Sequence, residues 1–337
     1  MSLMLLGILN SQASGVSANP VIAMAIIGSP YVAAYTWDAG FGTKFSNPAT
    51  APARDAEQLT FSDDGATLAI AHELGVGVSA YPWSADGYGT KYADFSPTIG
   101  TGKSVSFNKD SDVLAIGATN APRMHAFAFS SGFGTKYADP SETGSPSGVK
   151  FSPSGNDIVN TNTTSPYVYA YPFSSGFGTR YSNPASLMNS AATMLAFTPD
   201  GNNLAISQGI SPYVNAYTWS SGFGTKYSNP STLMGTQAYG VDFSADGNDL
   251  LVGGGDSPFV FAYAWSSGFG SKYSNPASLP PARIGQVAFS VTGEDLAVAT
   301  RSSPGVVAYP WSSGFGTKYA DPSSALGSNA YGVAFTQ

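Results

Sequence analysis

A segment close to SSGFGTKYSNP recurs seven times along the chain, and this repeat strongly limits the folds that the chain can adopt. A second landmark, a phenylalanine followed by a polar turn such as FSADG, also recurs seven times. The repeat's central aromatic residue lies at Phe41, Tyr88, Phe133, Phe177, Phe223, Phe269 and Phe315, and the second landmark at Phe61, Phe107, Phe151, Phe197, Phe243, Phe289 and Phe335. Both recur at intervals of 44 to 47 residues, a period typical of propeller blades.

Each unit contains the pattern of four short strands. In the unit that begins near Tyr239, YGVDF predicts strand A and residues 249–253 predict strand B, with Asp246 and Gly247 in the turn between them. Residues 258–265 alternate apolar side chains and predict strand C, and residues 269–273 predict an outermost strand D. No unit contains a stretch of helical periodicity long enough for a helix-based repeat.

The two ends of the chain predict how the ring closes. Residues 21–24 form a strand B that has no strand A before it, and residues 331–335 form a strand A with nothing after it. We therefore predict an all-β fold, a closed seven-bladed β-propeller of four-stranded blades whose first blade is completed by the C-terminal strand. Residues 19–337 form the propeller in this interpretation, and residues 1–18 precede it as an apolar tail.

Composition excludes several classes of function. Charged residues make up 10% of the chain and the net charge is −7, which argues against nucleic-acid binding and against a polybasic membrane contact. The apolar run at residues 3–9 is too short to span a membrane. There is no cysteine, so disulfides and thiolate metal sites are excluded.

The apolar tail has no evident role in the ring and is interpreted as a docking segment. Its candidate contact residues are Leu3, Met4, Leu5, Leu6, Ile8 and Leu9. Such a segment can enter a groove or add a strand to a partner's sheet. A cleaved signal peptide is the alternative, although no basic residue precedes the apolar run.

Two resemblances follow from short motifs. The turn FTPDGNNLAIS at residues 197–207 resembles WD-repeat-like and surface-layer-type propellers, which implies a fold and little about function. The opening LGILNSQ together with the SSGFGTKY repeat resembles structural proteins of tailed bacterial viruses. This second resemblance implies a place in a virus particle.

The polar residues of the repeat favour structural interpretations. His72 and His125 lie in different units without a third metal ligand nearby, so we expect no metal and no cofactor. One basic residue per unit on strand D is expected to protect an exposed strand edge. Acidic pairs such as Asp246 with Asp249 and Glu294 with Asp295 are expected to serve the A–B turns. The aromatic residue that ends strand C, a tryptophan in five units and Phe129 or Phe173 in two, is expected in the core.

Near-equal unit lengths leave no room for the divergent loops expected around a propeller active site. The sequence therefore predicts a non-enzymatic virion component that contacts other virion proteins through residues 1–18 and a host-surface glycan or protein through one disc face. The alternative is a secreted or envelope-attached propeller that binds glycan or protein. A third hypothesis is an enzyme, such as a lactonase or lyase-type propeller, which we expect to need a metal.

Overall fold

The computed structural model describes residues 20–141, 144–324, 326 and 329–336. These residues form strands and turns, arranged as seven antiparallel sheets. The first half of the chain contains β1 (Val21–Ile26), β2 (Val32–Trp37), β3 (Phe41–Lys44), β4 (Ala56–Phe61), β5 (Thr67–His72), β6 (Val78–Ser84), β7 (Gly87–Tyr88), β8 (Gly102–Phe107), β9 (Val113–Ala118), β10 (Met124–Phe129), β11 (Phe133–Lys136), β12 (Pro146–Phe151) and β13 (Asp157–Asn162).

The second half repeats the same order. It contains β14 (Val168–Pro172), β15 (Ala192–Phe197), β16 (Asn203–Gln208), β17 (Val214–Trp219), β18 (Phe223–Lys226), β19 (Ala238–Phe243), β20 (Asp249–Gly254), β21 (Val260–Trp265), β22 (Phe269–Lys272), β23 (Ile284–Phe289), β24 (Asp295–Thr300), β25 (Val306–Pro310) and β26 (Ala330–Phe335). Blade 1 has the order β26-β1-β2-β3, and blades 2 to 7 start at β4, β8, β12, β15, β19 and β23.

The predicted ring closure is confirmed. Strand β26 pairs with β1 in antiparallel register, with Ala334 opposite Ala23 and Val333 opposite Met24. The innermost strands contact one another in the closed cycle β26, β4, β8, β12, β15, β19, β23 and back to β26. The chain is thus a seven-bladed propeller whose first blade joins the two ends of the described chain.

The outermost strand is the most variable part of a blade. It has four residues in blades 1, 3, 5 and 6, two in blade 2, and is reduced to a single bridge in blades 4 and 7. Proline precedes the aromatic residue at the end of strand C in the three weaker blades, at Pro82, Pro172 and Pro310. Because proline has no backbone N–H, it removes a hydrogen bond from the C–D ladder, which explains the shorter pairing.

The hydrophobic core lies between the blades. Seven clusters of buried residues each join one blade to the next; for example, Ile22 and Met24 of blade 1 pack with Ala297 and Ala299 of blade 7. The aromatic residue that ends strand C is buried in every blade, with Trp311 only 6% exposed, so its predicted core role is confirmed. Each blade is therefore stabilised chiefly by its neighbours.

Polar links between the blades show that part of the turn interpretation was wrong. Asp246 does serve a turn, because its carboxylate accepts hydrogen bonds from Ser244 and Asn248. Asp249 instead begins strand B and accepts one hydrogen bond from Tyr273 of its own blade (2.7 Å) and one from the Trp311 indole of the next blade (2.8 Å). Equivalent links centre on Asp157 and Asp295. These carboxylates hold neighbouring blades together.

None of the described residues forms a helix that is long and apolar enough to cross a membrane.

Candidate functional site in the central channel

The wall of the central channel is built from the residue that precedes the final phenylalanine of each strand A. Because side chains alternate along a strand, a buried phenylalanine places its neighbour on the channel side. The seven positions are occupied by Thr60, Ser106, Lys150, Ala196, Asp242, Ala288 and Ala334, all of which line two adjoining cavities. Five of these side chains are neutral, and the other two carry opposite charges.

Asp242 of blade 6 is the acidic member of this ring. Its Oδ2 accepts a hydrogen bond from the backbone N–H of Phe289 in blade 7, at 2.9 Å. The surrounding channel wall desolvates the carboxylate and raises its pKa to about 6, although Lys150 and the hydrogen bond from Phe289 oppose the shift. One face stays accessible to the channel, since the residue is only partly buried. Asp242 therefore changes its protonation state near neutral pH, where a general base is most useful.

Lys150 of blade 4 is the basic member of the ring, and its side chain is exposed to the channel. Its positive charge lowers the pKa of Asp242, two blades away, and also that of Asp63 at the channel mouth. Burial is the larger influence on Asp63, whose pKa is raised overall. Lys150 thus lies within electrostatic reach of two carboxylates whose ionised forms are both disfavoured by burial.

The space beside these charges has the size of a small-molecule site. An inner cavity of about 200 Å³ and an outer cavity of about 420 Å³ share Lys150 and Asp242 in their walls. Small-molecule sites in proteins generally occupy roughly 300–1,000 Å³. At the outer end the wall carries Asp63 and Lys109 on one side and Pro153, Pro199, Ala245 and Val291 on the other. We call this end the lower mouth.

Several channel side chains are fixed by bonds to the next blade. Gln58 Oε1 accepts from the Val105 N–H at 2.8 Å, and Ser106 Oγ accepts from the Phe151 N–H at 3.1 Å. Asp242 makes the same kind of bond. Since these hydrogen bonds tie side chains to backbone, the polar groups are held in place before any ligand enters.

The residues that sequence reasoning considered for chemistry lie away from the channel. His72 is fully buried in strand β5, where its ring bonds Ser79 and the Glu73 carbonyl, and burial lowers its pKa. His125 is buried in strand β10 near Asp139, and its pKa is also lowered, with burial as the largest cause. Within the described ranges, no group of three or more His, Asp or Glu residues converges to hold a metal ion.

The other predicted sites are structural or lie elsewhere. The basic ring is confirmed on the outer strands of four blades, where Lys44, Lys136, Lys226 and Lys272 each end a strand, and its role in protecting the edge stays a prediction. The docking residues Leu3, Met4, Leu5, Leu6, Ile8 and Leu9 lie outside the described residues, so the role of residues 1–18 stays a prediction. The expected partners and location stay predictions as well.

Sequence reasoning missed Lys150 and Asp242, although a signal was present. Aligning the seven units on their strand-A phenylalanine places small or neutral residues before five of the phenylalanines and a charge before Phe151 and Phe243. A charge that interrupts a repeat at a channel-facing position marks a departure from the structural pattern. Such single substitutions do not change the length of a unit, so the near-equal unit lengths gave no sign of them.

The fold was compared with those of known proteins. No family model matches the chain, and no curated protein matches its sequence. Among solved structures, a periplasmic gluconolactonase from Pseudomonas aeruginosa is 15% identical with a TM-score of 0.72, and the match covers 94% of this chain and 99% of that one. A Bacteroides fragilis protein, named as a candidate 6-phosphogluconolactonase, is 13% identical with a TM-score of 0.74, covering 95% and 98%.

A third neighbour supports the resemblance to WD-repeat-like propellers at the level of the fold. The β-propeller domain of Myceliophteria thermophila Cps50 is 14% identical with a TM-score of 0.61, and the match covers 79% of this chain and 87% of that domain. At these identities the likeness shows the fold alone.

The comparisons correct the functional prediction. An enzyme was judged improbable because the blades are nearly equal in length, and a virion component was predicted from the apolar tail and the motif resemblance. However, nearly the whole chain superposes on neighbours that are named as lactonases, so this fold does not exclude an enzyme. None of these neighbours is named as a virus protein. The prediction was wrong in its physical premise, because a propeller site can arise from substitutions on the channel wall as well as from long loops.

Proposed function

We propose that this protein is a hydrolase that opens a small lactone in its central channel, with Asp242 as general base and Lys150 as the group that stabilises negative charge. The observation that carries this proposal is a channel-facing carboxylate with a pKa of about 6 and a lysine within electrostatic reach. The names of the structural neighbours support the choice of a lactone over other esters.

The reaction assigns one role to each charge. Ionised Asp242 accepts a proton from a water molecule as the water oxygen bonds to the lactone carbonyl carbon. The Lys150 ammonium group stabilises the negative charge on the former carbonyl oxygen. The ring C–O bond then breaks, the leaving alkoxide takes the proton from Asp242, and the product is an open hydroxy acid. One water molecule is consumed, and Asp242 returns to its ionised state.

The channel provides the conditions that this reaction needs. Its outer cavity of about 420 Å³ opens at the lower mouth, so water and a small cyclic ester can reach both charges. Thr60 lines the same cavity, and its hydroxyl, which donates to the Phe61 carbonyl, can still accept a hydrogen bond from a polar substrate. The hydrogen bond from the Phe289 N–H fixes the orientation of the Asp242 carboxylate in the channel.

The direct test is to follow acid release from D-glucono-δ-lactone and from δ-valerolactone at constant pH. We expect the purified protein to exceed the uncatalysed rate with at least one of them. Asp242→Asn should lower kcat by about 10² or more, since general bases contribute about 10²–10⁴. Lys150→Met should lower kcat by roughly 10².

The matched control is Asp38→Asn, which alters an exposed carboxylate on the outer C–D turn of blade 1. This variant should keep the wild-type rate. Hydrolysis no faster than the uncatalysed reaction for both lactones, or equal losses in the Asp242 and Asp38 variants, would rule out the proposed function.

A further inference from the structure

The end of the channel opposite the lower mouth carries two arginines and two tyrosines, and we call this group the upper-mouth cluster: Tyr239, Arg283, Arg301 and Tyr331. Tyr239 and Tyr331 lie on strands β19 and β26 of blades 6 and 1, and both arginines belong to blade 7 between them. Strand A runs from this end toward Asp242, and the three-residue step from Tyr239 to Asp242 spans about 10 Å along the strand.

Each arginine is held against a tyrosine ring. The Arg301 guanidinium carbon lies 3.3 Å from the centre of the Tyr331 ring, and that of Arg283 lies 4.9 Å from the centre of the Tyr239 ring. Arg283 also donates from Nη1 to the Tyr239 hydroxyl at 3.3 Å. Stacking on an aromatic face holds a guanidinium in one plane and leaves its N–H edge free for a ligand.

The two arginines are close in space because their backbones are bonded. The Arg301 N–H donates to the Arg283 carbonyl at 2.9 Å. Between the two tyrosines, strand A of blade 7 has Gly285, where an added Cβ would approach the Tyr331 backbone oxygen to 2.4 Å. A side chain is therefore excluded at that position. Strand A of blade 7 thus approaches the backbone of blade 1 closely here, which keeps the arginines of blade 7 next to Tyr331.

The positive charge of this cluster is not neutralised within the described part of the chain. Glu57 is the carboxylate that acts on Arg301, and it forms an ion pair with Lys103. Arg301 is half-buried, and its Nε is a buried donor without a hydrogen-bond partner among the described residues. Burial, followed by the charge of Arg283, lowers the pKa of Arg301. In a protein of net charge −7, two adjacent arginines that have no carboxylate ion-pair partner among the described residues form an unusual patch.

We infer that the upper-mouth cluster binds a small oxyanion, a carboxylate or a phosphate, between Arg283 and Arg301. Such a group has at least two acceptor oxygens, so it can receive the N–H edges of both guanidinium groups and reduce their mutual repulsion. The Tyr239 and Tyr331 hydroxyls add polar groups at the rim. This site is separate from the Asp242–Lys150 pair, and anion binding there does not depend on lactone hydrolysis.

Isothermal titration with inorganic phosphate and with sodium gluconate, each at an ionic strength matched with sodium chloride, tests the inference. We expect saturable binding of at least one anion. Binding of phosphate alone assigns the site to phosphate groups, and binding of gluconate alone assigns it to carboxylates. Arg301→Gln and Arg283→Gln should each weaken that binding about tenfold or more, since one charge-assisted pair is lost.

The matched control is Arg180→Gln. Arg180 also lies over a tyrosine ring, 5.0 Å from the centre of Tyr169, but on the outer edge of blade 4. This variant should bind the anion as the wild type does. If replacement of Arg301, which stacks on Tyr331, disturbs the fold, the Arg283→Gln variant still tests anion binding, because Arg283 is exposed. Absence of saturable binding for both anions, or equal weakening in the Arg180 variant, would overturn the inference.

Discussion

The blade interfaces and the channel wall obey different rules, although the same seven repeats build both. At the interfaces, equivalent positions have nearly the same residues: a tyrosine at the core of strand C, replaced by Phe127 in blade 3, and an aromatic residue at its end. On the channel wall, equivalent positions differ in size, polarity and charge, from Ala196 to Lys150 and Asp242. Repetition therefore marks the residues that hold the ring together, and departures from it mark residues available for chemistry.

The largest effect is expected from opening the ring. Removal of residues 331–337 deletes most of β26, which pairs with β1 and contacts the inner strands β4 and β23. The truncated chain should expose the edge of β1 and lose cooperative folding, because each blade is stabilised by its two neighbours. Size-exclusion chromatography measures self-association of the truncated chain, and thermal unfolding measures its loss of cooperativity. A truncated monomer that unfolds at the wild-type temperature would contradict the closure observed here.

The next largest effect is expected on lactone hydrolysis, from substitutions at two equivalent positions of the channel wall. Asp242→Asn should lower lactone hydrolysis by about 10²-fold or more while the protein stays folded, because asparagine keeps an acceptor for Phe289 and cannot take a proton. Ala196→Ser, at the equivalent position of blade 5, is the matched substitution and should leave kcat within about twofold. Comparable losses in both variants would show that the channel wall responds to any change.

The same carboxylate should also make stability depend on pH. The pKa of Asp242 is raised from 3.8 to about 6 in the folded state, so the folded protein binds this proton more tightly than the unfolded chain does. Its contribution to stability is therefore greatest below pH 4, falls as pH rises through 6, and is absent above pH 7. The shift corresponds to about 3 kcal/mol.

Denaturant unfolding of the wild type and of Asp242→Asn at several pH values measures this dependence. The free energy of unfolding of the variant should exceed that of the wild type above pH 7, and the difference should shrink toward pH 4. A difference that does not change with pH would show that Asp242 is not desolvated in the channel.

A smaller difference in stability is expected between variants at two blade interfaces, the one between blades 6 and 7 and the one between blades 5 and 6. The Trp311 indole N–H donates a hydrogen bond to Asp249 of the neighbouring blade. The Trp265 indole packs against blade 5, where Asn203 takes the place of that aspartate, and its nitrogen has no hydrogen-bond partner among the described residues. Trp311→Phe should therefore destabilise the protein by about 1–2 kcal/mol more than Trp265→Phe, because hydrogen bonds to charged groups contribute about 1.5–3 kcal/mol. Thermal and denaturant unfolding of both variants measure the difference, and equal losses would contradict the interblade role of Asp249.

The smallest effect is expected at the outer edge. Lys44→Gln alters one half-buried member of the basic ring at the outer edge and should change the free energy of unfolding by less than about 0.5 kcal/mol. Its consequence should instead appear as increased self-association at high concentration, measured by light scattering, because a charge that protects a strand edge has been removed. A large loss of stability would indicate that the basic ring takes part in folding.

These regions also differ in how far the sequence predicts them. The blade number, the strand order and the closure by residues 331–335 follow from periodicity, because every unit needs the same buried positions. The short outer strands of blades 2, 4 and 7 could also have been predicted from Pro82, Pro172 and Pro310. The bonds of Asp249 to Tyr273 and Trp311 could not, because they join residues 24 and 62 positions apart that only the folding of one blade and its packing against the next bring together.

The channel chemistry was hidden for a similar reason. Lys150 and Asp242 are 92 positions apart, and only the alignment of all seven units shows that they occupy equivalent positions that face the same cavity. The raised pKa of Asp242 results from enclosure by seven strands, which no single unit contains. The upper-mouth arginines likewise acquire their tyrosine partners from the blades on either side.

The pH dependence of kcat/KM for lactone hydrolysis, measured for the wild type and for Lys150→Met, tests the proposed base most directly. For the wild type we predict a rise with pH whose midpoint is near 6, as Asp242 ionises. In Lys150→Met the midpoint should move upward, because the cation that favours the carboxylate is gone, and the plateau should be lower. A wild type without catalysed hydrolysis, or a midpoint that does not move when Lys150 is removed, would contradict the assignment of the channel as the active site.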